Sequence, residues 1–189
     1  MNYVEDLKNS LRALKEGKVI LYPTDTVWGL GCDATRADSV ARIFSIKTRT
    51  ESKSLIILVS GTEMLERYVK DIPKTAEEII SVSDSPITII YPEGKNLAAG
   101  VCSDDGSVGI RICSDPFCNE LITRFRKPII STSANISGNP APGNFGEIDD
   151  KILNQADYIV AYRQDDRRKQ KPSPVILIDK NGTLKILRN

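Results

Sequence analysis

The sequence predicts an α/β fold with a mixed sheet. Three observations carry this. Short apolar runs rich in Val and Ile interleave with stretches whose apolar residues recur at helical spacing. The run Val19-Ile20-Leu21-Tyr22 is continuously apolar, as in a strand buried on both faces. The chain closes on two apolar runs about Asn181-Gly182, a hairpin signal that makes the sheet mixed rather than purely parallel. With 189 residues, no internal repeat and no interdomain linker, a single domain over 1–189 is expected.

In order, Val4, Leu7, Leu11 and Leu14 mark an amphipathic first helix closed by Gly17. The strand over 19–22 ends at Pro23. That proline opens Pro23-Thr24-Asp25-Thr26-Val27-Trp28-Gly29-Leu30-Gly31, read as a loop rich in hydroxyls and glycine. Val40, Ile43 and Phe44 predict a helix running to Ile46, before a charged turn and a strand over 55–59. Residues 62–69 and 73–81 read as helices, the second with Pro in its first turn. Strands follow over 87–91 and 107–112. In the latter, Val108, Ile110 and Ile112 share one face, while Gly109 and Arg111 share the other. A helix over 117–125 leads to a strand over 129–131 and a polar segment through Gly138. A helix over 148–156, a strand over 158–162, a charged loop from Arg163 to Lys171 and the hairpin of 175–178 with 183–187 complete the chain.

Composition excludes several chemistries. There is no histidine, which removes Ser-His-Asp and Cys-His catalysis and Cys/His zinc sites. Net charge is +1 with 27% charged residues, so any polyanion site is local. Cys32, Cys102, Cys113 and Cys118 form no CxxC pair and are expected to be reduced packing residues. No apolar run approaches ~18 residues, and the start has no signal-peptide pattern, so no membrane partner and a cytoplasmic location are expected.

Candidate chemistry collects at strand ends. Lys47-Thr48-Arg49-Thr50-Glu51-Ser52-Lys53 packs three cations into seven residues before an apolar strand. A Lys and an Arg two apart can be aimed at one anion, although helix-end charge on a solvated loop is the plainer reading. Thr24 and Thr26, Ser107 and Arg111, and Ser131 to Asn135 complete an anion-pocket set. Arg111 is singled out because it lies within an apolar strand, with Gly109 leaving room for a ligand on its face. Ser133-Ala134-Asn135 also fits a helix cap or Asx turn. Trp28 suits either core or a substrate wall. Gly29-Leu30-Gly31-Cys32-Asp33-Ala34 matches GxGxxA but starts too far from its strand for a dinucleotide turn. Arg167-Arg168-Lys169 with Lys171 reads as a solvated loop or an RNA-phosphate contact.

Taken in register, these segments resemble the YrdC/TsaC family of L-threonylcarbamoyladenylate synthases. The Pro23–Ala34 loop resembles that family's first motif. Lys47-Thr48-Arg49 resembles its KxR pair, Ser107–Ile112 its central strand and Ser133-Ala134-Asn135 its SxN motif. Pro172-Ser173 resembles the late serine, and Arg188 the arginine near the domain's end. The resemblance implies a YrdC-like fold, an open, twisted mixed sheet with flanking helices and a large basic cavity. It also implies a reaction joining L-threonine, bicarbonate and ATP, with Mg2+, into threonylcarbamoyl-AMP and pyrophosphate. The product would serve threonylcarbamoylation of adenosine 37 in tRNA, with tRNA and the threonylcarbamoyl-transferase proteins as partners. By the same resemblance Thr26, Arg111, Ser133 and Ser173 face threonine. Arg49, Lys53, Ser107, Asn135 and Arg188 face ATP. Lys47 lies between them, and Lys47 with Arg49 is catalytic. No protein metal ligand is implied.

Departures from the family pattern are Trp28 in place of Tyr or Phe, Thr50 and Ser54 in place of prolines, Pro174 in place of Thr, and Leu58 where longer members carry histidine. Those longer members also carry a further C-terminal domain, which is not expected in a chain of this length. Two competing readings remain at this stage. One is a non-catalytic RNA-binding module using the same cavity, resting on the KxR segment and the run from Arg167 to Lys171. The other is a paralogue acting on another carbamoyl substrate, as in the YrdC-like part of hydrogenase-maturation carbamoyltransferases.

Overall fold

The structure, a computed structural model, describes residues 3–47 and 55–189. The polar turn over 48–54, with Arg49 and Lys53, lies outside the described residues. Helix α1 (Tyr3–Lys15) buries Leu7, Ala13 and Leu14 and ends at Gly17, whose φ of 77° suits a residue without Cβ. Its buried Asp6 accepts from the Tyr158 hydroxyl and from the Ala161 and Tyr162 N–H groups. That ties the helix to a segment 152 residues away.

The strands form two sheets rather than the single one expected. The smaller has the order β7-β2-β1-β8. It is built from β1 (Ile20–Tyr22), β2 (Gly29–Gly31), β7 (Thr132–Ser133) and β8 (Tyr158–Ile159). The larger has the order β10-β9-β4-β5-β3-β6. Its strands are β3 (Ile56–Val59), β4 (Thr88–Tyr91), β5 (Val108–Ile112), β6 (Ile129–Ile130), β9 (Val175–Ile178) and β10 (Leu184–Arg188). Parallel pairs (β3 with β5, β4 with β9, β1 with β8) mix with antiparallel ones, so the expected mixed character holds.

The two sheets meet at one crossing. The run expected as a single strand over 129–131 divides: Ile129 and Ile130 pair with β3, then Thr132 and Ser133 pair with β2. Ser131 makes the step, its N–H donating to Ile56 O at 2.8 Å. The glycine-bearing loop folds back as β2 against β1, with Tyr22 opposite Gly29 and Ile20 opposite Gly31. Glycine is required at position 31, because a Cβ would meet Ile130 O and the Tyr22 ring, each at 2.6 Å. The GxG pair therefore serves sheet contact, not a dinucleotide turn.

Helices α2 (Ala37–Ile46), α4 (Lys74–Val82) and α5 (Pro116–Phe125) fall where apolar spacing predicts them. The expected helices over 62–69 and 148–156 contract to α3 (Thr62–Leu65) and α6 (Asp150–Leu153). The closing hairpin also differs in its turn. Gly182 has φ 80° but Asn181 is not in the positive-φ region. Gly182 N–H donates to Asp179 O, while Asp179 Oδ1 takes the Asn181 and Thr183 N–H groups. The result is a type I turn closed by a left-handed glycine rather than the type I′ turn that Asn-Gly suggests.

Candidate active site

The connection from β1 to β2 is shaped by its own hydroxyls. Thr24 Oγ1 donates to Val27 O at 2.9 Å and accepts the Thr26 N–H at 3.0 Å. This leaves Thr26, Val27 and Trp28 on the wall of a cavity of about 410 Å³, a volume suited to a small ligand. Trp28 is both wall and core: it is 5% exposed and its ring lies 4.9 Å from that of Phe145.

Arg111 enters from β5, buried on the face opposite Ile110 and Ile112 as the alternation requires. Its Nη1 donates to Ser173 Oγ at 3.2 Å, and its Nη2 lies 3.0 Å from Asp25 Oδ1. Gly109 does not open ligand space there. Its missing Cβ faces Ile56 Cγ1 at 3.3 Å and Thr88 Cγ2 at 3.7 Å, so it accommodates neighbouring side chains. Ser173 Oγ also shares a hydrogen with Thr88 Oγ1 at 2.8 Å. Pro174, lacking an N–H, still contributes its carbonyl, which accepts from Thr88 N–H at 3.0 Å. Arg188, on the last strand, reaches back so that Nε and Nη2 both donate to Ser173 O, at 3.0 and 2.8 Å. Partial burial, followed by the nearby charge of Arg111, lowers its pKa.

The opposite wall is the turn after β7. Asn135 uses its whole amide: Oδ1 accepts from Ser133 Oγ and Lys47 Nζ, while Nδ2 donates to Ile136 O and Asn139 O. Lys47, 3% exposed, also donates to Ser133 O at 2.7 Å and Asn135 O at 2.6 Å. Its ammonium thus sits behind the turn whose Ser133 and Asn135 line the cavity.

Six of the residues that the resemblance assigns to the substrates therefore line one cavity: Thr26, Arg111, Ser133, Asn135, Ser173 and Arg188, and Trp28, Ser131 and Thr132 line it with them. Lys47 abuts it. Ser107 is not among its lining residues; its N–H donates to Asp105 Oδ1 in a turn at the start of β5. Asp25, Thr88 and Ile56 were missed. The missing clue for Asp25 was a question of charge: an Arg inside an apolar strand needs a counter-ion, and Thr24-Asp25-Thr26 offered one. The described lining holds two guanidiniums and no carboxylate.

The basic loop past β8 is drawn onto the protein. Arg163, at φ 67°, pairs with Asp115, the N-cap of α5. Arg168 pairs with Asp166, Lys169 lies 3.7 Å from Glu147, and Gln170 N–H donates to Gly143 O.

The chain is similar to known proteins over most of its length. A threonylcarbamoyl-AMP synthase of Vibrio cholerae is 34% identical over 163 residues, 85% of this chain and 87% of the relative. One from Psychromonas ingrahamii is 38% identical over 135 residues, 70% of this chain and 71% of the relative. Among solved structures, P. abyssi Sua5 complexed with L-threonine superposes with a TM-score of 0.84 at 27% identity, covering 100% of this chain and 54% of that one. The chain thus spans about half the length of that protein. The family model Sua5/YciO/YrdC, described as telomere recombination, matches residues 12–189. With that match running through the cavity and on to the last strand, the chain belongs to the Sua5/YciO/YrdC family.

Proposed function

We propose that this chain is an L-threonylcarbamoyladenylate synthase, a nucleotidyltransferase that transfers the adenylyl group of ATP to N-carboxy-threonine. The observation that carries this reading is the gathering of Thr26, Arg111, Ser133, Asn135, Ser173 and Arg188, spread from the first loop to the last strand, around one cavity. The names of the Vibrio and Psychromonas relatives and the threonine held by P. abyssi Sua5 support it.

The chemistry needs positioning and charge neutralisation more than a protein base. Threonine's amine adds to the carbon of CO2 and releases one N–H proton to solvent, giving a carbamate. A carbamate oxygen then forms a bond to the α-phosphorus of ATP as the bond to the pyrophosphate oxygen breaks. In this reading Thr26, Arg111, Ser133 and Ser173 orient the amino acid. Arg188 and Asn135, with Arg49, Lys53 and Ser107, serve the nucleotide. Lys47 adds a buried positive charge beneath the Ser133–Asn135 corner, where negative charge grows in the transition state. The absence of histidine is compatible with every step. A polar partner for threonine's hydroxyl favours it over valine strongly, and over serine by only about 1–3 kcal/mol.

Among the described residues no group of three or more His, Cys, Asp or Glu could hold a metal. The described lining therefore does not fit a directly coordinated ion, and magnesium would arrive on the phosphates of ATP. The product would pass to tRNA threonylcarbamoyl-transferase proteins in the cytoplasm. No described helix is long and apolar enough to cross a membrane.

The test is pyrophosphate release from ATP and Mg2+, with L-threonine and bicarbonate added singly and together. Release is expected only with both. A folded protein that binds ATP yet stays silent with both would overturn the reading and turn attention to another acceptor.

A further inference from the structure

A guanidinium at a cavity wall needs a counter-charge and a fixed pose. For Arg111 both come from behind the wall. Asp25 is not among the cavity's lining residues, and its side chain is 5% exposed, like that of Arg111. Its Oδ1 lies 3.0 Å from Arg111 Nη2, and its Oδ2 accepts the Ser114 N–H at 3.1 Å and faces Ser114 Oγ at 3.4 Å. Ser114 adjoins Asp115, which caps α5, so the carboxylate is anchored beside a helix start. On the other edge of the guanidinium, Nη1 is taken by Ser173 Oγ, itself backed by Thr88. Both terminal nitrogens are engaged. Arg111 Nε is left buried with no hydrogen-bond partner among the described residues. The facing Asp25 Oδ1 is likewise buried without a hydrogen-bond partner among the described residues, so the two side chains are held at 3.0 Å by charge rather than by a formed hydrogen bond.

We propose that Asp25 is a positioning residue for Arg111, making this corner of the cavity a directional donor of zero net charge, matched to a zwitterionic amino acid rather than to a phosphate. The amino acid's identity rests on the synthase reading above. The physical basis is charge. A phosphate approaching Arg111 also meets the field of Asp25, which cancels much of the attraction. A zwitterion carries no net charge, so it can turn its carboxylate toward the guanidinium without needing more positive charge than the neutral pair supplies. Arg188, for which the described residues supply no ion-pair partner, is the lining cation left for phosphate.

The test uses the full chain and two substitutions that separate charge from pose. Asp25→Asn keeps the shape and the Ser114 acceptor but removes the charge; Asp25→Glu keeps the charge and changes the reach. In calorimetric titrations Asp25→Asn is expected to bind L-threonine about tenfold more weakly or worse, the loss of one charge-assisted contact. The same variant should bind inorganic pyrophosphate no more weakly than wild type, because the corner has gained a net positive charge. Asp25→Glu should weaken threonine with no gain for pyrophosphate, and it carries the test should the Asn variant fail to fold. Independently of any ligand, the Arg111 Nε–H resonance, assigned by its loss in Arg111→Lys, should move in both variants while the rest of the spectrum stays native. Unchanged threonine affinity, equal weakening of both ligands, or an unmoved Nε–H resonance would each overturn the proposal. Should wild type bind no threonine, the synthase reading fails and the resonance alone decides the role of Asp25.

Discussion

Lys47 shows what a single residue is asked to do. The density of cations after α2 marks Lys47 in the sequence as a candidate for an anion. Among the described residues its ammonium donates to Ser133 O, Asn135 O and Asn135 Oδ1, up to 88 residues further along. Burying an ammonium is costly, and the carbonyl and amide dipoles offset that cost only because the turn presents them together. Replacing Lys47 by Met keeps the stem and leaves those oxygens without this donor. The expected loss is about 2–3 kcal/mol of stability, together with most of the pyrophosphate release. Urea melts and turnover on the same preparation check it, and a variant as stable as wild type would show that the ammonium does not hold the turn. The residue type was legible in the sequence. Its aim was not, because nothing local in Lys47-Thr48-Arg49 encodes a partner so distant. Asp25 was hidden for the same reason: its meaning depends on Arg111, which is far along the chain and on a strand of the other sheet.

Elements were legible where periodicity has room to speak. The ten residues of α2 and of α5 and the five of β5 show their faces in the sequence, and they fold as expected. The two-residue strands β6 and β7 are too short for any pattern, so the step between sheets at Ser131 could not be read. That step sets the cavity, since it carries Ser133 and Asn135 across to β2 and leaves Ser131 facing Gly29. The closeness of β2 to this crossing depends on Gly31. Adding one methyl there brings a Cβ against backbone at Ile130 O, which cannot yield as a flexible side chain would. Gly31→Ala should therefore cost about 1–3 kcal/mol or more, by overpacking of a rigid junction. Gly61→Ala is the control, since nothing lies within 4 Å of its Cβ position and its φ of 175° is ordinary extended backbone. Urea midpoints should fall for the first and hold for the second, at unchanged slope. Equal midpoints would mean that the sheet crossing is looser than its geometry implies.

At the scale of the whole molecule, the absence of histidine has a thermodynamic consequence as well as a mechanistic one. Stability depends on pH only where a group binds protons differently in the folded and unfolded chains. At the acid end, carboxylates held down by partners supply the dependence: Asp166 by Arg168, Asp38 by Arg36, Glu93 by Lys70, and Asp179 by the Thr183 and Asn181 N–H groups. Their folded pKa values are depressed, so their contribution is present above the ordinary carboxylate range and is lost as pH falls through the folded values. At the alkaline end the sign reverses. Burial, then a hydrogen bond to Glu120, pushes Tyr3 up to about 12. Burial, then Asp6, does the same for Tyr158. Raised folded values mean a contribution complete below pH 10 and lost as pH rises toward 12. Between these limbs there is no histidine to titrate, and burial raises the thiols of Cys32 and Cys118 out of the neutral range. The melting temperature should accordingly be flat from about pH 5 to about pH 8. Thermal melts by circular dichroism across that range test it. The alkaline limb should shrink in Tyr158→Phe, which gives up the hydroxyl bond to Asp6 but removes the ionisation that ends it. A distinct step near pH 6 or 7 would mean that a carboxylate is strongly raised in the folded chain, and Asp115, raised by burial at the cap of α5, is the first residue to replace with Asn in that event.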